Sequence, residues 1–207
     1  MALPVIISVP HAGLRVPEEL KPYSQLSVND IIADGDEGPA EIYDIQPEVE
    51  QFVTTEIARA FVDLNRAPDD RRLDGVVKTH TCWGVPIYDP SPPEAVFESI
   101  LNNYYAHYHA RLADSPPSAR FGMDCHTMAA YAPPIESEEG SERPPICISD
   151  ALGQAFPSKW TERFKLCLEE AFDLPVAVNK PFQGGYIIRR HSTKIPWIQI
   201  EFSRAPF

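Results

Sequence analysis

Four short apolar runs in this sequence each end beside residues that can bind or transform a ligand. The run VIISV precedes His11, and AFVDL precedes Asn65 and Arg66. The run RFGM precedes Asp124 and His126, and WIQI precedes Glu201. β-Branched runs of this length are typical of buried strands in a parallel sheet. Ligands of open α/β sheets gather outside the carboxyl ends of the strands. We therefore predict that these side chains meet at one edge of a sheet.

The remaining pattern alternates strands with helices, which predicts an α/β fold with a mixed, mostly parallel sheet flanked by helices. No repeat or linker divides the sequence, so we expect a single domain over residues 1–207. The predicted strands lie at residues 5–9, 51–55, 60–65, 120–125, 146–149, 175–178 and 197–202, with a hairpin at 75–88 that turns near Trp83 and Gly84. The predicted helices lie at residues 41–45, 93–113 and 158–172, and a polar, proline-rich surface loop at 131–145.

The charge of the chain limits the partners that it can have. With 18 basic and 30 acidic side chains the formal net charge is −12, which argues against nucleic-acid binding, because that needs a basic face. No apolar stretch is long enough to span a membrane, so we expect no membrane partner. The cysteines are widely spaced, without a CxxC pair, which favours a reduced, cytoplasmic protein. An anionic ligand would have to be held by a few arginines against this overall charge.

The residues at the strand ends are suited to a metal site. Two imidazoles and a carboxylate leave a coordination position open for water, as in catalytic zinc sites. His11 and His126 supply the imidazoles, and Asp34, Asp36 and Glu37 are three candidates for the carboxylate. Taken singly, each residue also has a structural interpretation, such as a loop histidine or a surface ion pair. Glu201, on a separate strand, is the candidate base that takes a proton from water.

The ordered set of motifs resembles the N-formylglutamate amidohydrolase (deformylase) family, and more distantly the aspartoacylase-like and zinc carboxypeptidase-like hydrolases. The segments that carry the resemblance are Ser8-Val9-Pro10-His11-Ala12-Gly13, Asp36 with Glu41-Ile42-Tyr43-Asp44, Val62-Asp63-Leu64-Asn65-Arg66, Asp124-Cys125-His126-Thr127-Met128, Gly184-Gly185-Tyr186-Ile187 and Gln199-Ile200-Glu201. The resemblance implies a phosphorylase/hydrolase-like fold of the zinc-carboxypeptidase kind.

The resemblance also implies a role for each matching residue. It makes Zn²⁺, or another divalent metal, the cofactor, with His11, Asp36 and His126 as ligands and Glu37 as the runner-up to Asp36. Glu201 would be the general base and later the proton donor. The implied substrate-binding residues are Asn65, Arg66, and one of Arg189 and Arg190, and Asp124 would orient the metal-site histidine.

The activity implied by the resemblance is hydrolysis of a small, anionic N-acyl amino acid. The best candidate is N-formyl-L-glutamate, cleaved to formate and L-glutamate, a reaction that the family places in histidine breakdown. One alternative is a carboxypeptidase-like enzyme or another N-acyl amino acid deacylase, because Arg66 would bind a substrate carboxylate in each of them. A second alternative is a metal- or ligand-binding domain without catalysis. The oligomeric state is left open by the sequence.

Overall fold

A mixed six-stranded sheet forms the centre of the computed structural model, which describes residues 2–135 and 139–205. The strands are β1 (Leu3–Val9), β2 (Val49–Thr54), β3 (Phe121–Met128), β4 (Ile146–Ser149), β5 (Val176–Val178) and β6 (Trp197–Ser203). Their order across the sheet is β2-β1-β3-β6-β4-β5. All neighbours pair in parallel except β4 and β6, which are antiparallel. The predicted α/β class with a mostly parallel sheet is confirmed.

Helices cover both faces of this sheet. They are α1 (Val28–Asp34), α2 (Pro39–Ile42), α3 (Glu94–Ile100), α4 (Ala106–Ala113), α5 (Ser158–Phe172) and α6 (Tyr186–His191). Side chains of α3, α4 and α6 pack with Ile6 and Trp197 in one core, and those of α5 pack with Ile7 and Ile198 in the other. The two cores follow from strand geometry, because successive side chains point to opposite faces. No helix in the described part of the chain has the length and apolar character to cross a membrane.

Most of the predicted elements are present. The strands predicted at 5–9, 51–55, 120–125, 146–149, 175–178 and 197–202 correspond to β1 to β6, with boundaries shifted by a few residues. The helix predicted at 158–172 is α5, and the one at 93–113 is formed by α3 and α4. A π-helical turn, Leu101–Tyr105, joins α3 to α4. The apolar spacing of the long, strongly periodic segments therefore predicted their secondary structure correctly.

One predicted β element is wrong and another is only partly formed. Residues 60–65, all of them described, form turns: the amide N–H groups of Phe61 and Val62 both donate to the carbonyl of Ala58. The hairpin predicted at 75–88 is present only beside its turn at Gly84, where residues 79–81 pair antiparallel with residues 85–87. No regular strand extends this pairing among residues 75–88. Residues 60–65 and the apolar start of the second segment are buried as packed loops, and an apolar run alone does not distinguish that state from a strand.

The pattern also misplaced some helical segments. Helix α1 was not predicted, although a capping box between Ser27 and Asp30 starts it. The helix predicted at 41–45 lies slightly earlier, as α2. No helix was predicted at 184–191, but α6 occupies most of that segment. In the predicted loop at 131–145, residues 136–138 lie outside the described residues, and its flanks are bridged by Tyr131 and Glu142.

A pair of histidines joins α4 to α6 behind the carboxyl edge of the sheet. His109 Nδ1 lies 2.9 Å from His191 Nε2, and the two rings are stacked with an interplanar angle of 8°. His109 Nε2 lies 3.0 Å from the carbonyl oxygen of Leu64, which only accepts, so this nitrogen carries the proton. His191 Nε2 then donates to His109 Nδ1, and both rings are neutral. Burial lowers the pKa of each histidine from 6.5 to about 4.

We expect this pair to make the fold less stable in mild acid. Between pH 6.5 and pH 4 the histidines bind protons in the unfolded chain but not in the folded one, so the free energy of unfolding falls as the pH falls. The loss from pH 7 to pH 5 should be about 2 kcal/mol for each well-buried histidine, and since solvent screens the partly exposed His191 we expect roughly 2–4 kcal/mol for the pair. Urea unfolding at several pH values measures it. His191→Gln keeps an N–H donor without titrating and should flatten the slope, whereas the exposed-site control His107→Gln should not. An unchanged slope in His191→Gln would contradict this assignment.

Candidate metal centre and its cavity

Two histidines and one aspartate meet at the carboxyl edge of the sheet. His11 follows β1, His126 lies on β3, and Asp36 lies in the loop after α1. One ligand atom from each of the three falls within 4.8 Å of the other two. Asp36 Oδ2 is 2.9 Å from His126 Nδ1 and 3.4 Å from His11 Nδ1. The structure therefore brings together three residues predicted from different parts of the sequence.

Each imidazole is oriented by a further carboxylate on its other nitrogen. His11 Nε2 lies 3.0 Å from Asp63 Oδ1, and His126 Nε2 lies 2.9 Å from Asp124 Oδ2. A carboxylate accepts and does not donate, so both Nε2 atoms carry protons and both Nδ1 atoms point toward Asp36. Ionised carboxylates behind histidines of this kind fix the ring and its tautomer. Asp124 is itself held by Ser8, whose hydroxyl donates to Oδ1 at 2.8 Å.

The electrostatics of the cluster favour an ionised Asp36. Burial raises the pKa of this carboxyl, but the His11 and His126 rings outweigh it and hold the pKa well below its ordinary value. Burial lowers the pKa of His126, and the carboxylates of Asp124 and Glu201 outweigh that effect and raise it well above its ordinary value. The cluster thus concentrates negative charge, which a cation would balance.

A buried ion pair fixes the loop that carries Asp36. The side chains of Asp34 and Lys78 are both 0% exposed, and Lys78 Nζ donates to the two oxygens of Asp34 at 2.8 and 2.7 Å. The amide of Cys82 donates to Asp34 as well, at 2.6 Å. Arg59 links this loop to the first histidine, since it donates to the carbonyl of Asp34 and to Asp63 Oδ2. Asp36 therefore starts from a rigid anchor two residues away.

Glu201 lies beside the cluster because of the strand register. On neighbouring strands β3 and β6, His126 is paired with Glu201 and Asp124 with Gln199. Glu201 is 6% exposed, and Gln199 Nε2 donates to its Oε1 at 2.7 Å. Burial raises the pKa of Glu201 to about 7. A carboxyl with such a pKa is suited to accept and return a proton near neutral pH.

The His-Asp-His cluster, Gln199 and Glu201 line one cavity of about 390 Å³. Its wall includes four acidic side chains, from Asp34, Asp36, Asp63 and Glu201, and four arginines. The arginines are Arg59, Arg66, Arg143 and Arg204. The formal charges of the wall cancel, so a divalent cation would make the site positive although the protein carries −12.

The structure places Asn65 and Arg66 differently from one another. Both line the cavity. The Asn65 side-chain amide donates to Asp124 Oδ2 at 3.0 Å and accepts from the backbone N–H of Ile187 at 2.8 Å. Asn65 therefore connects β3, next to His126, to α6. Arg66 donates to Asp74 at 3.0 Å, and its Nε lies 3.6 Å from Asp63 Oδ2, in an ion pair. The Arg66 side chain is nevertheless 30% exposed in the cavity wall, so part of its guanidinium can reach a ligand.

The two arginines predicted after the glycine pair lie elsewhere. Arg189 and Arg190 are exposed on α6 and are not among the residues that line the cavity. The Arg189 guanidinium donates to the carbonyls of Gly184 and Gln183, at the start of its own helix. The Glu37 side chain is 68% exposed and does not belong to the His-Asp-His cluster.

Several residues of the site were not predicted. Asp63 belongs to a quoted motif but received no role there, although its position two residues before Asn65 is a usable signal. Arg59, Lys78, Arg143 and Arg204 carry no local signal, because their proximity arises from segments that are distant in sequence. Gln199 was part of a quoted motif but received no role.

Comparisons with known proteins agree with this arrangement. The sequence profile of the N-formylglutamate amidohydrolase family matches residues 3–207. The chain belongs to the N-formylglutamate amidohydrolase family. It is 24% identical to an N-formylglutamate deformylase from Pseudomonas putida over 222 aligned residues, covering 99% of this chain and 82% of the relative.

Solved structures confirm the fold. A crystal structure of N-formylglutamate amidohydrolase from Ralstonia eutropha JMP134 has a TM-score of 0.82 at 21% identity, covering 98% of this chain and 82% of the other. A gene product of Agrobacterium tumefaciens has a TM-score of 0.72 at 16% identity, covering 96% and 79%. The resemblance to the amidohydrolase family is confirmed by the profile match over residues 3–207.

The donor set of this family member fits a divalent metal ion. His11 Nδ1 is buried and has no hydrogen-bond partner among the described residues, although it faces Asp36. An unpartnered buried acceptor costs stability unless something else satisfies it. Two imidazole nitrogens and one carboxylate oxygen match the donors of catalytic zinc sites, and Mn, Co and Fe accept similar sets.

We expect Asp36, rather than its neighbour Glu37, to be needed for metal binding. Asp36→Asn removes the central negative charge and should weaken the affinity for zinc by more than the roughly 10–100-fold that loss of an outer partner costs. Glu37→Gln is the matched control and should bind zinc like the unaltered protein. Competition with a chromophoric chelator, on protein stripped of metal, measures both. The reverse order of affinities would make Glu37 the ligand.

Proposed function

We propose that this protein is a metal-dependent amidohydrolase, with zinc the best candidate for the metal, that hydrolyses N-formyl-L-glutamate to formate and L-glutamate. The observation that carries the proposal is the position of Glu201 beside the His11, Asp36 and His126 cluster in one cavity. Membership in the amidohydrolase family supports the same reaction class. The Pseudomonas putida relative, named for this substrate, supports the choice of acyl group and amino acid.

His11, Asp36 and His126 would hold the metal ion. The chemistry that a divalent cation supplies in such a site is Lewis acidity, which makes water more acidic and a carbonyl carbon more electrophilic. The protein's part is to hold the two rings in one tautomer, through Asp63 and Asp124, so that both Nδ1 atoms face the same point.

Glu201 carries the proton in the proposed reaction. Its carboxylate takes a proton from the attacking water as the C–O bond to the formyl carbon forms. The same carboxyl then gives that proton to the amide nitrogen as the C–N bond breaks, which releases formate and the free amino group. A pKa of about 7 makes both directions of transfer accessible near neutral pH.

The arginines of the cavity account for an anionic substrate. Arg66 lines the wall with a side chain that is 30% exposed, and it is the candidate for binding a substrate carboxylate, as a planar guanidinium can do in bidentate fashion. The proposal leaves Asn65 to orient His126 and Asp124, because its amide is already bonded to the protein. Arg189 and Arg190 are exposed and are not among the residues that line this cavity, so we assign the second carboxylate to the other arginines of the wall.

We expect Glu201→Gln to abolish turnover while leaving the metal in place. Loss of a positioned base lowers kcat by about 10² to 10⁴. A formate-release assay with N-formyl-L-glutamate measures the rate, and elemental analysis measures the bound metal. Glu162→Gln, which removes an exposed carboxylate on α5, is the matched control and should retain full activity. Full activity of Glu201→Gln would refute its role as the base.

N-acetylglutamate and dipeptides test the deacylase and carboxypeptidase alternatives, with release of a free amino group as the measurement. No turnover of any substrate would favour a binding domain.

We expect Arg66→Gln to affect substrate binding more than chemistry. Removing one charged hydrogen bond of about 1.5–3 kcal/mol should raise KM for N-formyl-L-glutamate by roughly tenfold or more. The KM for an N-formyl amino acid amide, which lacks the α-carboxylate, should change less if Arg66 binds that group. Arg163→Gln, at an exposed site on α5, controls for the lost positive charge. A KM unchanged in Arg66→Gln would remove Arg66 from the binding site.

A further inference from the structure

The glycine pair before α6 is tied to the catalytic edge through its backbone. Gly185 N–H donates to Gln199 Oε1 at 2.7 Å, and two residues later Ile187 N–H donates to Asn65 Oδ1 at 2.8 Å. A Cβ on Gly185 would collide with the Asn65 side chain, so the backbone can approach only because this residue is glycine. The segment that the sequence singled out for its arginines therefore contacts the site with its amide groups.

The bond from Gly185 fixes the orientation of the Gln199 amide. Because a backbone N–H only donates, the atom that faces Gly185 must be the carbonyl oxygen Oε1. The amide nitrogen Nε2 then faces Glu201, and it donates to Oε1 of that carboxylate at 2.7 Å. Gln199 is 4% exposed, so water does not compete strongly for either bond. A buried relay of two short hydrogen bonds thus runs from Gly185 through Gln199 to Glu201.

The relay leaves the two oxygens of Glu201 in different states. Oε1 accepts from Gln199, whereas Oε2 makes no hydrogen bond to any residue that the structure describes. Gln199 and Glu201 are two residues apart on β6, so their side chains share one face of the sheet. On that face they lie beside Asp124 and His126 of the neighbouring strand β3. One carboxylate oxygen is therefore anchored to the fold, and the other is available for proton transfer.

We propose that Gln199 is a positioning residue for Glu201: its amide nitrogen holds one oxygen of the carboxylate so that the other exchanges a proton with water and with the leaving nitrogen. This inference rests on the proposed function of Glu201 as the base. It gives Gly185 the task of holding the Gln199 amide in the required orientation. A purely structural role of Gln199, that of bracing the loop before α6, requires only the bond to Gly185.

The substitution Gln199→Glu separates these two roles. The glutamate keeps an oxygen that accepts from Gly185 N–H but replaces the amide donor by a second carboxyl group, which either repels the Glu201 carboxylate or shares a proton with it. At pH 8 we expect kcat for N-formyl-L-glutamate to fall by about tenfold to 10²-fold, as for a misplaced catalytic group. KM and bound metal should stay close to those of the unaltered protein, because Gln199 is placed on neither the metal nor the substrate. A kcat at pH 8 within twofold of the unaltered protein would overturn the proposal.

Two further variants complete the experiment. Gln154→Glu adds the same charge at an exposed site and should keep the full kcat. If Gln199→Glu does not fold, Gln199→Met is measured instead; it has a similar length and no hydrogen bond, and the same loss of kcat at constant KM and metal content is expected. A loss confined to KM or to thermal stability would assign Gln199 the bracing role and overturn the proposal.

Failure of the proposed function can be recognised separately. If the unaltered, metal-loaded protein does not release formate from N-formyl-L-glutamate, that function is wrong whatever Gln199 does. In that case crystal structures of the unaltered protein and of Gln199→Glu decide the positioning role. A displaced Glu201 carboxylate with an unmoved Gly185 supports it, and a Glu201 carboxylate at its original position overturns it.

Discussion

The in-register pairing of β3 with β6 is the constraint on which the site depends. It sets His126 beside Glu201 and Asp124 beside Gln199, so that a candidate ligand, its orienting carboxylate and a candidate base share one face of the sheet. A shift of one residue would turn either strand's set to the opposite face, into the core lined by Ile198 and Ile200. The apolar residues that alternate with the polar ones therefore hold the chemistry in place as they bury themselves.

Burying this much charge is possible because each group has a partner. Lys78 forms an ion pair with Asp34, and Arg59 forms one with Asp63. Burial raises the pKa of Asp63, but His11 and Arg59 lower it more, so this pKa lies well below its ordinary value. Removing one member of such a pair leaves an uncompensated buried charge, which is strongly unfavourable. The same pairs make the site rigid, and rigidity benefits a metal centre because its donors must converge on one point.

The sequence was a good guide to regular elements and to residues at strand ends. The apolar runs located β1 to β6, and the periodic helix α5 was found with its bounds. The run at 60–65 and the apolar start of the segment 75–88 were wrongly predicted as strands, because burial rather than strand pairing explains their apolar character. The site followed the same division: the three cluster residues and Glu201 were found from strand-end position and resemblance, whereas the supporting Arg59 and Lys78 were not.

By itself the sequence determined the α/β class, the polar residues at the strand ends and the family to which the chain belongs, because strand periodicity and ordered motifs are local properties of the chain. Only the tertiary structure decided between Asp36 and Glu37 as members of the cluster, and only it separated Arg66 in the cavity wall from Arg189 and Arg190 on an exposed helix. It also connected Gly185 to Glu201 through Gln199. These outcomes depend on distances between segments that lie far apart in sequence, and those distances are set by packing and register rather than by any local pattern.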